Sequence, residues 1–375
     1  MAHDLGLPAA TVFAAFSAAL VMSALIGPAA GRAIDRHGGR PVLLATNGLF
    51  ALGLVALAGA QGPLSLFGAW MLLGLAMGSG LYEAAFAALV RLRGHDARGA
   101  ITGITLIAGF ASTVGWPLSA LMEAQFGWRG ACAGWAALHL VLGLPLNALL
   151  PRAGALPAAS APAAAAAATL DPVAAAPPAV ARPELTALLL SFVFAVTYFS
   201  ATAMATHLPR VLQASGATLA VAVGVGALIG PAQVAGRLLE FGVLRRVHPL
   251  LSARLAALGH PVGAAALLWF GGAAAVPFAL LHGAGNGILT IAKGTLPLAL
   301  FGAAGYGARQ GWLALPARVT QAVAPFVFGL ALDRWGARAL WLSGALSLVG
   351  LLALLVLRAR PDPAARPRVP GEAGR

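Results

Sequence analysis

The sequence predicts an all-α polytopic membrane protein whose eleven transmembrane helices form two related bundles, one of five helices and one of six. Three observations predict this fold class. The composition is too apolar for water, the apolar segments have the length of membrane spans, and the second half of the chain repeats patterns of the first. Together they place the chain in a lipid bilayer.

The composition excludes an ordinary soluble domain. Hydrophobic residues make up 60% of the 375 positions and charged residues only 9%, and the mean hydropathy is +0.86. A soluble domain has about 25% charged residues. The net charge of +13 does not indicate nucleic acid, because the basic residues lie between apolar segments rather than in runs. The single cysteine, Cys132, excludes an intrachain disulfide and offers no metal-ligand spacing, and we expect no cofactor or metal.

Apolar segments of membrane-spanning length recur along the chain. A helix needs about 20 apolar residues to cross the hydrocarbon core. Charged and turn residues bound eleven such segments, at roughly 11–33, 41–60, 64–90, 100–122, 130–150, 186–207, 217–238, 250–271, 273–297, 311–332 and 338–358.

The arginines predict the orientation, because Arg and Lys accumulate on the cytoplasmic side of membrane proteins. With the N-terminus outside, 20 basic residues lie in inner connections, inner span halves and the tail, and 4 lie outside. This asymmetry predicts a cytoplasmic C-terminus and an odd number of spans. The four outer residues are Arg129, Arg210, Arg334 and Arg338.

One long segment does not resemble a span. Residues 153–183 are rich in alanine and proline and have almost no charge. Prolines break a continuous helix, so this segment is predicted to be a semi-flexible cytoplasmic linker. It separates an N-terminal helical bundle, 1–152, from a C-terminal bundle, 184–360, which a cytoplasmic tail follows at 361–375.

The two bundles share sequence patterns. ALIGPAAGRAID (24–35) resembles ALIGPAQVAGRLLE (227–240), and the glycine spacing of 74–83 matches that of 282–290. In this register the first span pairs with the seventh and the fifth with the eleventh, so span 186–207 has no partner. That partner would precede residue 1. Two related halves joined by a long inner loop are typical of secondary transporters.

The segment GPAAGRAIDRHGGR (27–40) resembles the signature of the major facilitator superfamily between its second and third helices. The family has twelve helices, so the resemblance implies that the first helix is missing from this chain. It also implies that the signature latches the two halves together on the inner side. Gly39 is an extra residue within the pattern, and the matching residues are Gly31, Asp35, Arg36, Gly38 and Arg40.

A second resemblance concerns the branch of that family. GITLIAGFASTVGWPLSA (103–120) and Phe-Gly-Trp-Arg at 126–129 are similar to bacterial members that resemble monocarboxylate porters. This similarity implies a bacterial inner-membrane protein, but it does not identify a substrate.

Charged residues inside the bilayer are functional candidates, because burying them is unfavourable. Glu83 lies on the helix that corresponds to the family's fourth, which is implied to line the central cavity. Burial disfavours the charged form of a carboxylate, which suits proton coupling. Alternatively, Glu83 is only a structural partner for an arginine.

Two cations are the matching candidates. Lys293 and Arg318 lie on the helices that correspond to the family's tenth and eleventh, and both could attract an anionic substrate. Alternatively, either residue pairs with Glu83 or extends to the membrane surface.

Three polar residues complete the predicted site. Tyr82, His282 and Asn286 could donate hydrogen bonds to a ligand, or they could make polar contacts between packed helices. Tyr198 and His207 are weaker candidates. The glycine clusters around Gly78 and Gly285 are expected to allow close helix packing rather than to bind a ligand.

These residues predict a monomeric secondary active transporter and not an enzyme. We expect a small organic solute, an organic anion such as a carboxylate, to be carried by alternating access, coupled to protons, with no nucleic-acid partner. Proton-driven efflux of amphipathic compounds is the alternative within this class. A remnant unable to transport, or a membrane sensor, is the alternative of another class, and the missing helix is its only support.

Overall fold

The computed structural model describes residues 1–152 and 182–358, apart from the side chains of Ser112, Thr113 and Trp116. Every regular element in these ranges is helical. In the N-terminal half the helices are α1 (Ala9–His37), α2 (Gly39–Ala58), α3 (Pro63–Gly80), α4 (Tyr82–Arg93), α5 (Ala97–Ala108), α6 (Ala111–Leu138) and α7 (Leu144–Ala148).

The C-terminal half contains seven further helices. Local sequence explains several of their starts: proline lies at the first position of α8 and α10, and the Thr218 hydroxyl accepts a hydrogen bond from the Val221 backbone at the start of α9. The helices are α8 (Pro183–Ala214), α9 (Leu219–Gly242), α10 (Pro249–Ala257), α11 (Gly259–Phe270), α12 (Ala275–Phe301), α13 (Tyr306–Trp335) and α14 (Leu340–Val356).

The helices confirm a polytopic membrane protein. Within the described ranges, eight helical stretches are long and apolar enough to cross a bilayer. Three of them have 46, 53 and 51 residues, which is more than twice the length that one crossing needs. Each of these three contains breaks between helices, so each can turn back. The count of eleven spans stays a prediction, and so does the missing first helix.

Glycines bring helices of the two halves into contact. Gly27 and Gly31 of α1 face Gly311 and Gly307 of α13, and a Cβ atom at Gly31 would overlap the Gly307 carbonyl. A side chain at Gly31 would therefore push α1 and α13 apart. The two helices can approach this closely only because no Cβ lies between their backbones.

The two predicted glycine clusters allow close packing inside each half. Gly74 and Gly78 of α3 lie against Ala19 and Ser23 of α1. In the second half, Gly283 and Gly287 of α12 lie against Ile229 and Gln233 of α9. The pair α1 and α3 therefore packs as the pair α9 and α12 does, which is the correspondence that the sequence repeat predicts.

The predicted domain boundaries fall partly outside the described residues. The linker 153–183 does so except for its last two residues, since α8 begins at Pro183. The tail 361–375 lies outside them altogether. The bundles 1–152 and 184–360 stay predictions as separate domains.

Candidate functional site

Glu83 lies at a break in a helix that the sequence predicts to be continuous. The span 64–90 divides at Leu81, whose ψ of −163° ends α3, and Glu83 lies in the first turn of α4. The free backbone N–H groups at a helix N-terminus favour a negative charge there. The break therefore places the carboxylate where the helix itself stabilises its charge.

The Glu83 carboxylate binds two side chains of the other half. Arg318 of α13 donates from Nη2 to Oε2 at 2.8 Å, and the Tyr198 hydroxyl of α8 donates to Oε1 at 3.0 Å. The side chains of Arg318 and Glu83 are only 8% and 16% exposed. Arg318 also donates to Oε1 of Gln321 at 3.1 Å. The ion pair is thus largely buried and joins α4 to the C-terminal half.

Lys293 completes this group through an aromatic ring. Its Nζ lies 3.8 Å from the ring centroid of Tyr198, and Arg318 Cζ lies 5.2 Å from the same centroid. Cations are attracted to the face of an aromatic ring. Within residues 1–152 and 182–358, no carboxylate lies within ion-pair distance of Lys293. We call Glu83, Tyr198, Lys293 and Arg318 the central cluster.

The central cluster contains more positive than negative charge. Its polar groups are one carboxylate, one guanidinium, one amine and one phenol. Buried charges are stable when they are paired, and in the described part of the chain Lys293 contacts an aromatic ring but no carboxylate. The cluster therefore contains two basic side chains for one carboxylate.

The other predicted site residues lie farther from the ion pair. Tyr82 precedes Glu83, but its ring packs on Phe86, 5.4 Å away between centroids. His282 contacts His260 on α11, with 2.9 Å between the two Nδ1 atoms, and Asn286 lies one turn farther along α12. The structure therefore groups Glu83, Lys293 and Arg318, and it places His282 and Asn286 at cavities inside the C-terminal half.

Tyr198 belongs to the central cluster, although the sequence alone makes it only a weaker candidate. The chain has only three tyrosines, and all three lie at or beside the cluster. The Tyr306 hydroxyl donates to the backbone carbonyl of Gly294, next to Lys293, at 2.7 Å. In the sequence, the one indication of a role for Tyr198 is that it is a rare polar aromatic residue in the middle of a predicted span. What the sequence could not show is that Tyr198 contacts all three charges. His207, the other weak candidate, binds the Pro325 carbonyl at 2.8 Å instead.

The predicted latch residues also reach across the two halves. The Asp35 carboxylate accepts hydrogen bonds from the backbone of Gly307 at 2.9 Å and of Ala308 at 2.8 Å. These are free N–H groups at the start of α13, where a negative charge is favoured. Asp35 thus caps a helix of the opposite half.

The remaining latch residues shape the turn between α1 and α2. Gly38 has a φ of 83°, which favours glycine, and a Cβ at Gly39 would overlap Ala88 of α4. The extra residue of the motif is therefore needed for close packing. Within the described ranges, neither Arg36 nor Arg40 forms an ion pair. We call the end of the protein that holds Asp35 and these arginines the basic end.

A second contact between the halves lies at the basic end. Arg98 of α5 pairs with Glu240 of α9 at 3.4 Å and donates to the Leu244 carbonyl at 3.4 Å. Glu240 is 2% exposed and belongs to the repeat of the signature in the second half. Both copies of the repeat therefore place an acid at a contact between the halves.

Comparisons with known proteins agree with this architecture. Residues 1–288 match the Major Facilitator Superfamily. None of the curated proteins matches the chain. Three solved structures are similar in fold. The human organic anion transporter MFSD10 (TETRAN) has 19% sequence identity and a TM-score of 0.66, over 94% of this chain and 87% of that one.

The other two structures are sugar symporters. The proton:xylose symporter XylE, bound to 6-bromo-6-deoxy-D-glucose, has 13% identity and a TM-score of 0.67, over 94% of this chain and 88% of that chain. The E. coli fucose:proton symporter FucP has 15% identity and a TM-score of 0.69, over 94% of each chain. At these identities the likeness shows the fold alone. The match over residues 1–288 shows the family: this chain belongs to the Major Facilitator Superfamily, whose members are membrane transporters rather than enzymes.

Proposed function

We propose that this protein is a proton-coupled secondary transporter of a small organic anion, such as a carboxylate, working by alternating access. The observation that supports it is the surplus cation of the central cluster. Lys293 and Arg318 lie near one carboxylate, Glu83, and within the described residues Lys293 contacts the Tyr198 ring but no carboxylate. When Glu83 is protonated, these two basic side chains could bind an organic anion in place of its carboxylate.

The arrangement suggests how a proton and an anion would bind together. A proton on Glu83 neutralises the carboxylate and weakens its ion pair with Arg318. The guanidinium is then free to bind the solute carboxylate through two parallel hydrogen bonds, and Lys293 provides a second charge nearby. The solute replaces Glu83 as the negative partner, so the buried cations are never left without one.

The same contacts would connect binding to the movement of the two halves. Glu83 lies in the N-terminal half and its partners Tyr198 and Arg318 lie in the other. Breaking this ion pair removes a contact between the halves, and Asp35 would act as the latch at the basic end. A solute can shift the conformation only as far as it binds the two states differently.

The similar structures support parts of this proposal. One of them is called an organic anion transporter, and two are called proton symporters. The arginine asymmetry supports a cytoplasmic C-terminus, so the basic end would face the cytoplasm. The resemblance of residues 103–120 and 126–129 to bacterial members supports an inner-membrane location. We further propose that the protein acts as a monomer, because the two halves of the chain together form the central cluster.

Uptake into proteoliposomes tests this function. The purified protein would be reconstituted and supplied with radiolabelled lactate, pyruvate, hexanoate or succinate, with and without an acidic exterior. We expect at least one of these anions to accumulate several-fold faster under the acidic gradient, because a proton on Glu83 frees the binding cations. Protein-free liposomes correct for passive entry.

Two results would contradict the proposal. One is uptake of an anion that does not respond to the gradient, and the other is no protein-dependent uptake of any of the four probes. Gradient-driven export of an amphipathic dye from the same liposomes, without anion uptake, would favour the efflux alternative.

A further inference from the structure

A pair of buried histidines lies in the C-terminal half, away from the central cluster. His260 of α11 and His282 of α12 are 8% and 5% exposed, and their Nδ1 atoms lie 2.9 Å apart. The His282 ring also stacks on Phe278, with 5.7 Å between centroids and 6° between planes. The helices therefore hold both rings in fixed positions with one nitrogen facing another.

The contact between the rings defines how many protons they share. A hydrogen bond between two Nδ1 atoms needs a proton on one and a lone pair on the other. The Nε2 atom of His260 is buried and has no hydrogen-bond partner among residues 1–152 and 182–358. Buried polar atoms without partners are rare and call for an explanation. A histidine that gains and loses a proton is one such explanation.

Two cavities adjoin the pair. The smaller, about 30 Å³, is lined by both rings together with Ser200, Ser347 and Asn286. Its volume and polar lining suit one or two water molecules. The larger, about 230 Å³, is lined by His282, Asn286 and Gln233 among apolar residues. His282 and Asn286 therefore border both cavities, so water could bring a proton to the pair.

No charged side chain lines either cavity among the described residues. The polar groups facing the rings are neutral, and the charges on the surrounding helices lie elsewhere. Lys293 is eleven residues from His282 along α12, or about 16 Å at 1.5 Å per residue. Arg254 of α10 donates to backbone carbonyls of α14 and the residue after it. The remaining polar neighbours are Thr197 and Ser200 of α8, Gln233 of α9 and Ser347 of α14, and Arg237 lies one turn beyond Gln233 on α9.

We propose that the His260–His282 pair is a second proton-binding site of the transporter, separate from Glu83. The pair binds one proton and not two. With one added proton, an imidazolium donates to the neutral ring in a charge-assisted hydrogen bond. A second proton would place two N–H groups and two positive charges face to face at 2.9 Å, with no acceptor between them.

The cavities would control when this proton is bound. A buried cation is unfavourable unless polar groups or water surround it. The pair should therefore hold its proton while the cavities contain water and release it when the helices close around them. Its role in the transport cycle rests on the proposed function, whereas proton binding itself can be measured without a solute.

Nuclear magnetic resonance of the full chain in lipid nanodiscs tests the proposal. With ¹⁵N-labelled histidine, we expect two of the eight rings to be coupled through a shared N–H···N hydrogen bond at neutral pH. On acidification these two rings should change together and take up one proton between them. His282→Gln should remove both signals, whereas the control His139→Gln should leave them unchanged.

The proposal is overturned if both rings keep neutral signals down to the lowest pH at which the protein stays folded. It is equally overturned if each ring takes up its own proton. The titration is also made in Glu83→Gln protein. We expect the histidine pair to take up one shared proton in this variant too. The result therefore does not depend on whether Glu83 is the coupling group. Conversely, the absence of a shared proton would not contradict the proposed anion site.

Discussion

Replacing Arg318 with methionine is expected to lower anion uptake at least about 100-fold and to destabilise the protein. Methionine keeps much of the side-chain volume but leaves the Glu83 carboxylate with no ion-pair partner in a largely buried site. Breaking a buried pair by removing one partner costs about 3–5 kcal/mol. Thermal unfolding in detergent and proteoliposome uptake measure the two effects.

The controls separate stability from function. The double variant Arg318→Met with Glu83→Gln should recover most of the lost stability, because no buried carboxylate is left without its ion-pair partner, and it should still fail to transport. Arg210→Met breaks an ion pair whose side chains are 55% and 61% exposed, and exposed pairs contribute only about 0–1 kcal/mol. If Arg210→Met and Arg318→Met had equal effects, the central cluster would have no special role.

Replacing Gly31 with valine is expected to abolish transport by preventing closure at the basic end. The new side chain would overlap the Gly307 backbone, which cannot turn away as a flexible side chain could. Overpacking of this kind destabilises a packed contact by about 1–3 kcal/mol. Only the state in which α1 and α13 are in contact is destabilised. The equilibrium should therefore move about 5- to 150-fold toward a state in which α1 and α13 are apart.

Spin-label distances can report this shift. Labels on His37→Cys and Ala304→Cys, both exposed positions near the basic end, would be attached in a Cys132→Ser background. We expect a longer distance in Gly31→Val than in the parent. Gly48→Val is the matched control, because nothing lies within 4 Å of a Cβ at Gly48. An unchanged distance in Gly31→Val would disprove the role of this contact.

Much of the fold follows from local sequence. Apolar segments of sufficient length between charged residues predict the spans, since a bilayer requires each crossing to satisfy its own backbone hydrogen bonds. The glycine clusters are expected to allow close helix packing, and Gly74 lies against α1 while Gly283 lies against α9. Both predictions depend on residues near one another in the chain.

The helix breaks were harder to predict. The break at Leu81 divides a segment with continuous apolar character, and no proline marks it. Composition measures whether a segment can enter the bilayer, but it does not show where packing interrupts its hydrogen bonds. The position of Glu83 at a helix start therefore became visible only in three dimensions.

The sequence identifies the charged residues of the central cluster, but it does not show that they lie next to one another. Glu83, Lys293 and Arg318 stand out because intramembrane charges are rare. Lys293 and Arg318 lie 210 and 235 residues after Glu83 in the sequence. No local pattern shows that the three residues meet around one aromatic ring. Likewise, the sequence marks His282 as a residue that could bind a ligand or make a polar contact between helices, and its contact with His260 depends on how α11 and α12 pack.

The central claim is that a proton on Glu83 and an anion on Arg318 and Lys293 bind together. The most direct test is equilibrium binding of the best transported anion to wild-type protein and to Glu83→Gln at several pH values. If one proton binds with each anion, the wild-type affinity should rise about tenfold for each unit by which the pH falls, as long as Glu83 is ionised in the free protein. Glu83→Gln should bind the anion with an affinity that does not change with pH. The same slope in both proteins, or tighter binding at higher pH, would contradict the account.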